Sequence, residues 1–255
     1  MGAADGQAVQ RRADHTLTVM TYNLGNELAR AEAVARLVRA LAPDVVGLQE
    51  VASGQASVLQ RELAALYPYQ AVYAGGFAGK AVFSRYAIVG EARIELYPAR
   101  PDLQVVLSVG GRALTLLVAH PPPPRMRRHG LVFDAGAVHH LRGVATLAAG
   151  SAPAVLVGDF NMTPRHAAYA FFRRVGLRDA FGDVGCGRGA TLPARLGPSR
   201  WLRRPPGWPR LVPVVRVDYI WHTRELRAEA AWVGADAGSD HLPVLARLAL
   251  DDDPR

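Results

Sequence analysis

The chain has little of several features that would place it in particular protein classes. It has a single cysteine, Cys186, among 255 residues. An internal disulfide is therefore impossible, and a thiolate zinc site lacks ligands. No apolar run reaches the roughly 18 residues that a transmembrane helix needs. The first residues also contain no apolar segment of the kind found in a signal peptide. These absences exclude disulfide-stapled and zinc-finger scaffolds, and we expect no membrane-spanning helix.

Lysine is almost absent, because Lys80 is the only one among 30 basic residues. The formal net charge is +8, and the bias towards arginine is also typical of a GC-rich genome. Seven arginines and no acidic residue lie between residues 188 and 216, interleaved with Trp201 and Trp208. Such a segment suits a nucleic acid, an anionic membrane surface or a solvated loop. We expect an anionic partner, with nucleic acid and membrane both open, and no obligate protein partner.

Residues 15–250 alternate between short apolar runs and helical spacing, and residues 1–14 and 251–255 are predicted tails. Strands are predicted at 16–23, 44–49, 81–83, 87–94, 103–109, 113–119, from 155, and at 214–221, 228–233 and 243–250. Helices are predicted at 27–41, 54–66, 133–149 and 164–175. Gly110-Gly111 predicts a hairpin turn. Helix–strand units at each end flank a strand-rich middle, which indicates two packed sheets with helices outside in one domain.

Polar residues recur where the apolar strands end. Asp159 and Asn161 follow the run Val155–Gly158, at the kind of position where ligands collect in α/β folds. The other members of this set are Asn23, Glu50, His120, Asp218, Asp240 and His241. Each has a structural alternative; Asp159 or Asn161, for example, could cap a helix that opens at Thr163-Pro164. Together they are difficult to explain by structure alone.

These residue types suit metal-assisted attack on a phosphoester. Oxygen ligands such as Glu50 and Asp240, with Asn23 nearby, favour a hard cation such as Mg²⁺. A carboxylate that activates water and donors that bind the charged phosphoryl group complete the minimum set. A histidine held by a carboxylate gains a raised pKa, which suits it to stabilise a phosphoryl oxygen.

An ordered set of motifs is similar to those of one enzyme superfamily. The motifs are Thr21-Tyr22-Asn23, Leu48-Gln49-Glu50, Phe83-Ser84-Arg85, His120, Gly158-Asp159-Phe160-Asn161, Arg216-Val217-Asp218-Tyr219-Ile220 and Ser239-Asp240-His241. In order and spacing over about residues 16–250 they resemble the endonuclease/exonuclease/phosphatase (DNase I-like) superfamily. That superfamily includes DNase I-like nucleases, abasic-site endonucleases, sphingomyelinases and inositol-polyphosphate phosphatases.

The resemblance implies a four-layered α/β sandwich, with two mainly antiparallel sheets packed face to face and helices outside. It makes Glu50 the principal metal ligand, assisted by Asn23 and Asp240, with Mg²⁺ as the cofactor and Mn²⁺ as an alternative. Arg85 is expected to be a further phosphate contact.

The resemblance also assigns the catalytic roles. Asp159 positions or deprotonates the attacking water, and Asn161 contacts the phosphate. Asp218 polarises His241. His120 is expected to bond the phosphate or to protonate the leaving oxygen.

We expect a divalent-metal-dependent phosphodiesterase, and first of all an endonuclease acting on DNA. The alternative is a phospholipid or sphingomyelin-type head-group phosphodiesterase, or another phosphatase on the same fold. Gly25 and His120 both depart from the pattern of abasic-site endonucleases, which weakens a DNA-repair assignment. The chain looks like bacterial members of the superfamily, so we expect a cytoplasmic protein, or a membrane-anchored or extracytoplasmic one if this is part of a longer chain.

Overall fold

The computed structural model describes residues 16–128, 130–195 and 211–251. Its strands are β1 Thr16–Asn23, β2 Val45–Gln49, β3 Tyr69–Tyr73, β4 Lys80–Ser84, β5 Ala87–Ile94, β6 Asp102–Val109, β7 Arg112–Ala119, β8 Arg125–Arg127, β9 Gly130–Val132, β10 Ala154–Asp159, β11 Arg178–Asp179, β12 Asp218–His222, β13 Leu226–Val233 and β14 Val244–Leu250. Its helices are α1 Ala31–Leu41, α2 Ser53–Leu63, α3 Ala135–Gly150, α4 Ala167–Arg174 and α5 Ala180–Val184.

Two six-stranded sheets have the orders β13-β14-β1-β2-β4-β3 and β11-β12-β10-β7-β6-β5. Each sheet contains one parallel pair near its centre, β1 with β2 and β7 with β10. The other neighbours are antiparallel. Strands β8 and β9 form a separate hairpin. The prediction of two mainly antiparallel sheets is therefore confirmed.

Three apolar clusters build four layers. The first lies between the sheets, where inward-facing residues such as Val19, Val105 and Val157 meet. The second packs α1 and α2 on one sheet, and the third packs α3 and α4 on the other. Strand β2 is buried along its whole length, because helices cover one face and the second sheet covers the other. The predicted four-layered sandwich is confirmed.

Two glycines allow the central strands to approach each other. A Cβ on Gly47 would lie 2.7 Å from Val157 Cγ2 of the facing sheet. Gly158 has a φ of +150°, and a Cβ there would clash with the carbonyl oxygen of Ala119 on the neighbouring strand. Because Gly158 directly precedes Asp159, its backbone conformation helps to aim that carboxylate beyond the end of the strand.

Most elements match their predicted positions, and the differences have local causes. The helix predicted at 27–41 begins only at Ala31, because Asn26 and Glu27 adopt positive φ angles of 46° and 78° in a turn. The strand predicted at 214–221 begins at Asp218, because Val215 pairs instead with Leu192 in an isolated bridge. Strand β3, the β8–β9 hairpin, strand β11 and helix α5 are additional elements.

The hairpin turn at Gly110-Gly111 is confirmed, since Val109 pairs with Arg112 across it. The predicted tails, 1–14 and 251–255, lie outside the described residues except for Asp251. No helix among the described residues is long and apolar enough to cross a membrane.

Candidate active site

The central strands of both sheets deliver polar groups to one edge of the sandwich. Strands β1 and β2 lead into Asn23 and Glu50, while β7 and β10 lead into His120 and Asp159. Asn23 Nδ2 donates to Asp159 Oδ2 at 3.0 Å and to Glu50 Oε1 at 3.3 Å. One amide therefore connects carboxylates that come from different sheets.

Asp159 and Asn161 form a tight turn and cap no helix. The backbone N–H of Asn161, whose φ is 53°, donates to Asp159 Oδ1 at 2.8 Å. Helix α4 is capped by His166, whose ring accepts from the N–H of Ala168. The helix-cap alternative is therefore wrong. The Nδ2 of Asn161 donates to the carbonyl of Pro121 at 3.0 Å, so a phosphate contact by this nitrogen must share or displace that bond.

The carboxyl group of Asp159 has an unusually high pKa. Burial raises the pKa of its carboxyl, the cationic His241 lowers it, and the charge of Asp218 raises it again, to about 7 in all. A group with this pKa changes between acid and base near neutral pH, which suits proton transfer. Asp159 can therefore accept a proton from water under physiological conditions.

His241 is a cation at neutral pH. Its Nδ1 donates to Asp218 Oδ2 at 2.9 Å, and its Nε2 lies 3.7 Å from Asp159 Oδ2. Burial opposes the charged form, but the carboxylates of Asp218 and Asp159 together raise the pKa of His241 to about 10. The backbone supports this pair, because β10 and β12 place Asp159 opposite Asp218 and Ser239 Oγ accepts from the N–H of His241.

His120 lies on the other side of Asp159 and is neutral. Its Nε2 is 3.5 Å from Asp159 Oδ2 and 3.6 Å from Glu50 Oε1. Burial lowers its pKa well below the ordinary range, and the charges of Lys80 and Arg100 lower it further. Because Nδ1 contacts the carbonyl of Phe77 at 3.3 Å, the neutral ring carries its proton there and its lone pair on Nε2. Proton donation from Nε2 therefore requires prior protonation of the ring.

Glu50 and Asp240 provide oxygens that fit a hard divalent cation. Burial raises the pKa of Glu50, a hydrogen bond from Asn23 lowers it, and the charge of Asp240 raises it. A cation between these carboxylates would relieve both the burial cost and the repulsion. Asn23 presents its nitrogen to the carboxylates while its Oδ1 accepts from Gly25 N–H. Coordination by Asn23 would therefore require its amide to turn.

A second set of possible metal ligands lies beside this one. One atom each of Asp159, Asp218 and His241 lie within 4.8 Å of one another. Asp218 and His241 already satisfy each other in a hydrogen bond of 2.9 Å, and His241 is protonated, whereas a metal requires a neutral imidazole. The oxygen set around Glu50 is the better fit to a hard cation.

Arg85 does not reach this edge, and its predicted phosphate contact is wrong. Strand β4 runs antiparallel to β2, so Lys80 pairs with Gln49 at the site while Ser84 pairs with Val45 at the opposite end. Arg85 follows Ser84 and binds Asp44 Oδ1 at 3.2 Å and the carbonyl of Ala42 at 3.0 Å. Its guanidinium also lies over the ring of Tyr67. Its role here is structural.

The sequence reasoning missed a buried acid that supports the site. Asp102, at the start of β6, accepts from the backbone N–H of His120 at 3.3 Å and contacts His140 Nε2 at 2.6 Å. An acidic residue immediately before a strongly apolar strand was the available signal. The carbonyl of Phe77, which fixes the ring of His120, has no sequence signal because any residue supplies a carbonyl.

The arginine-rich segments have different environments. Arg127 and Arg128, in and after β8, are exposed, and nearby Pro124 lines an open pocket together with Asn161. In the 188–216 segment, Arg195 pairs with Asp236 at 2.6 Å and Arg216 pairs with Asp179 at 2.7 Å. Arg188 is exposed, and the other arginines and tryptophans of this segment lie outside the described ranges: Arg200, Trp201, Arg203, Arg204, Trp208 and Arg210.

Comparison with known proteins agrees with this geometry. The model of the Endonuclease/Exonuclease/phosphatase family matches residues 20–241. No curated protein sequence matched the chain. Solved structures with the same fold include the Bacteroides thetaiotaomicron mannosyl-6-phosphatase Bt3783, at 20% identity and a TM-score of 0.68, with 91% of this chain and 99% of that chain covered.

Two further structures with the same fold differ in their substrates. Sphingomyelinase C from Streptomyces griseocarneus is 22% identical with a TM-score of 0.60, covering 91% of this chain and 99% of that one. D. rerio TDP2, complexed with a single-stranded DNA product, is 16% identical with a TM-score of 0.65, covering 91% and 98%. The chain therefore belongs to the endonuclease/exonuclease/phosphatase family and is a hydrolytic phosphoesterase on that family's fold.

Proposed function

We propose that this chain is a divalent-metal-dependent phosphodiesterase that cleaves DNA by in-line attack of water. The observation that carries the proposal is that Asp159 Oδ2 lies close to two histidines, one neutral and one cationic. It lies 3.5 Å from the neutral His120 and 3.7 Å from the cationic His241. A proton acceptor and a positive charge thus adjoin the same point, as hydrolysis of a phosphate anion requires.

Each side chain has a task in this reaction. Asp159 accepts the proton of water as the water oxygen bonds to phosphorus. The bond to the leaving oxygen breaks, and that oxygen takes up a proton from solvent. His120 Nε2 and Asp159 Oδ2 are two acceptors that face each other, so a water that donates to both is held in place. His241 stabilises the negative charge on a phosphoryl oxygen, and Asp218 keeps it protonated.

The metal residues would be Glu50 and Asp240, with Asn23 adjacent. A divalent cation held there, Mg²⁺ or Mn²⁺, would polarise the phosphoester and offset its charge. Without it, Asn23 donates to both Glu50 and Asp159 and keeps the two carboxylates in fixed positions.

The choice of DNA over other phosphoesters rests on the surface charge beside Asn161. Arg127 and Arg128 are exposed near that edge, and they suit contacts with successive backbone phosphates. The structural likeness to a protein complexed with single-stranded DNA supports the same choice.

The proposal is tested by one assay panel with matched variants. Plasmid DNA, single-stranded DNA, RNA, sphingomyelin, phosphoinositides and a sugar phosphate are each incubated with Mg²⁺, Mn²⁺ or EDTA. We expect DNA cleavage that EDTA abolishes and that Asp159→Asn reduces by about 10²–10⁴-fold, the usual contribution of a general base. Undiminished turnover by Asp159→Asn would overturn the catalytic assignment.

Salt dependence tests the nucleic-acid part separately. For DNA, log kcat/KM should fall linearly with log salt, and Arg127→Gln should reduce the magnitude of the slope by about one. Arg224→Gln is the control, because Arg224 follows β12 at the end away from Asp218 and pairs with Glu225. A rate that does not depend on salt would contradict a nucleic-acid substrate.

A phospholipid head group is the second candidate. Met126 is 74% exposed and Val132 is 49% exposed on the β8–β9 hairpin, where apolar tips could enter a bilayer interface. The likeness to a sphingomyelinase C is consistent with this substrate. Hydrolysis of sphingomyelin vesicles that Met126→Asp abolishes, with hydrolysis of micellar substrate retained, would favour it. No hydrolysis of vesicles would exclude it.

A further inference from the structure

A small cavity adjoins the catalytic cluster on the side of His120. It has a volume of about 110 Å³ and its lining includes Tyr73, Lys80, Arg93 and Asp102. It lies where β3 and β4 of one sheet face β5 and β6 of the other. Because a single water needs only roughly 10–15 Å³, the cavity has room for a tetrahedral oxyanion.

Two residues that line the cavity, Lys80 and Asp102, are next to residues of the site already described. Lys80 pairs with Gln49, the residue before Glu50, in the β2–β4 ladder. Asp102 accepts the backbone N–H of His120. The charges of Lys80 and of Arg100 both act on His120, and that of Arg100 also acts on Glu50. A group bound in this cavity would therefore lie next to a group bound at Asp159.

Lys80, the only lysine of the chain, is buried there with few partners. Its side chain is 2% exposed, and among the described residues its one hydrogen bond is to the carbonyl of Ala78, at 3.3 Å. An ammonium has three hydrogens to donate, and a buried charge is costly unless it is paired. No carboxylate oxygen of the described chain lies within ion-pair distance of it, so its hydrogen-bonding capacity is largely unused.

Two arginines, Arg93 and Arg100, lie close enough to Lys80 for their charges to act on it. The Nη1 of Arg100 is buried without a hydrogen-bond partner in the described part of the chain. Arg93 is exposed and lies over the ring of Tyr73, with its guanidinium carbon 5.3 Å from the ring centre. Among the described residues, Asp102 is the only acid that lines the cavity, and its two oxygens already bind His120 and His140. The surplus of donors over acceptors is typical of an anion site.

We propose that this cavity binds a second, non-scissile phosphoryl group of the substrate beside the one that is attacked at Asp159. The inference rests on the proposed function and narrows it: the substrate class is a phosphodiester that carries at least one further phosphoryl group. A polynucleotide meets this condition, whereas a sphingomyelin-type head group with one phosphate does not.

Three dinucleotide substrates test the inference. They are dithymidylate with no terminal phosphate, with a 5′-terminal phosphate and with a 3′-terminal phosphate, assayed with Mg²⁺. We expect wild type to prefer one phosphorylated form by about tenfold or more in kcat/KM, as one charge-assisted contact gives. Lys80→Met should reduce this ratio to within about twofold. The ratio is taken within each protein, so a general loss of activity cancels.

Two further variants make the result specific. Arg100→Met should reduce the same ratio, which keeps the test valid if Lys80→Met folds poorly in a thermal melt. Arg224→Gln removes an arginine at the opposite end of β12 and should leave the ratio unchanged. Cleavage of unphosphorylated dithymidylate without any preference for a phosphorylated form would overturn the second site while the proposed function stands.

A binding experiment distinguishes a failure of this inference from a failure of the proposed function. If no dinucleotide is cleaved, the cavity is tested by titrating pyrophosphate into the protein in EDTA, and the proposed function fails only if plasmid and single-stranded DNA are not cleaved either. We expect wild type to bind and Lys80→Met to bind about tenfold more weakly or worse. Equal binding by wild type and both cavity variants, or no binding by wild type, would overturn the inference.

Discussion

The active site contains two histidines in different charge states: His120 is neutral and His241 is a cation. His120 and His241 lie at similar distances, 3.5 and 3.7 Å, from one oxygen of Asp159. Burial disfavours the charged form of both rings. They differ in their partners: His241 binds the carboxylate of Asp218, whereas His120 binds a carbonyl and has the cations Lys80 and Arg100 nearby. Partner charge, and not depth, therefore decides which histidine is the cation.

This division gives each histidine a distinct chemical capacity. A cationic His241 can stabilise phosphoryl charge throughout the reaction, while a neutral His120 offers a lone pair to water. The arrangement also keeps the pKa of Asp159 at about 7. A second cation beside the carboxylate would lower that pKa and make the carboxylate a weaker base.

Among the substitutions that test this comparison, Asp218→Asn should cause the largest loss of activity. Removal of that charge lowers the pKa of His241 from about 10 and leaves a larger fraction of the ring neutral. We expect kcat/KM to fall by about 10²–10³-fold, the usual loss when one donor to a developing oxyanion is impaired. Asp183→Asn, which alters an exposed acid paired with Arg173, is the matched control and should leave the rate unchanged. Comparable rates for the two variants would contradict the role of the Asp218–His241 pair.

A smaller loss should follow His120→Gln. Glutamine keeps a polar group but removes the ring lone pair that faces Asp159, so we expect about tenfold lower kcat/KM. The loss should not vary with pH around neutrality, because the pKa of His120 lies well below its ordinary value. A wild-type rate that instead rises on protonation of His120 would show that the ring acts as an acid.

The pH profile of kcat/KM should reflect the two shifted groups. Asp159 must be ionised, so activity rises as pH increases through about 7, or through a lower value once a cation lies near it. His241 must be protonated, so activity falls as pH increases through about 10. In Asp218→Asn the alkaline limb should move to lower pH while the acidic limb changes less. An alkaline limb that stays in place would assign it to another group.

The smallest effect should come from Arg85→Gln. Arg85 lies at the opposite end of β4 from Lys80, so kcat/KM should stay within about twofold, as for a surface substitution away from the site. Thermal stability should fall slightly, because the ion pair with Asp44 and the contact with Tyr67 are lost. A substantial loss of activity in a folded Arg85→Gln protein would support the phosphate contact by Arg85, against the position that the strand direction gives it.

These contrasts also show what could be predicted from sequence. Strand ends are marked by polar residues after apolar runs, so Asn23, Glu50, His120 and Asp159 were identified, and the structure brings them to one edge. The layer architecture followed from the alternation of helical and strand-like segments. Strand direction has no comparable marker, which is why Arg85 was assigned to the wrong end.

The charge state of only one of the two histidines, His241, could be predicted from the sequence. The Asp218–His241 pair followed from the resemblance, but the neutrality of His120 depends on burial, on the Phe77 carbonyl and on cations that come from other strands. The start of α1 was misplaced because positive φ angles at Asn26 and Glu27 are set by the surrounding fold and not by residue type.

Titration of the two histidine rings by NMR in EDTA tests the central claim most directly. The account predicts that His241 remains protonated until the pH approaches 10 and that the pKa of His120 lies well below its ordinary value. His120→Gln and Asp218→Asn assign the two sets of signals. Titration of both rings near the ordinary value of about 6.5 would contradict the division of charge between the two sides of the site.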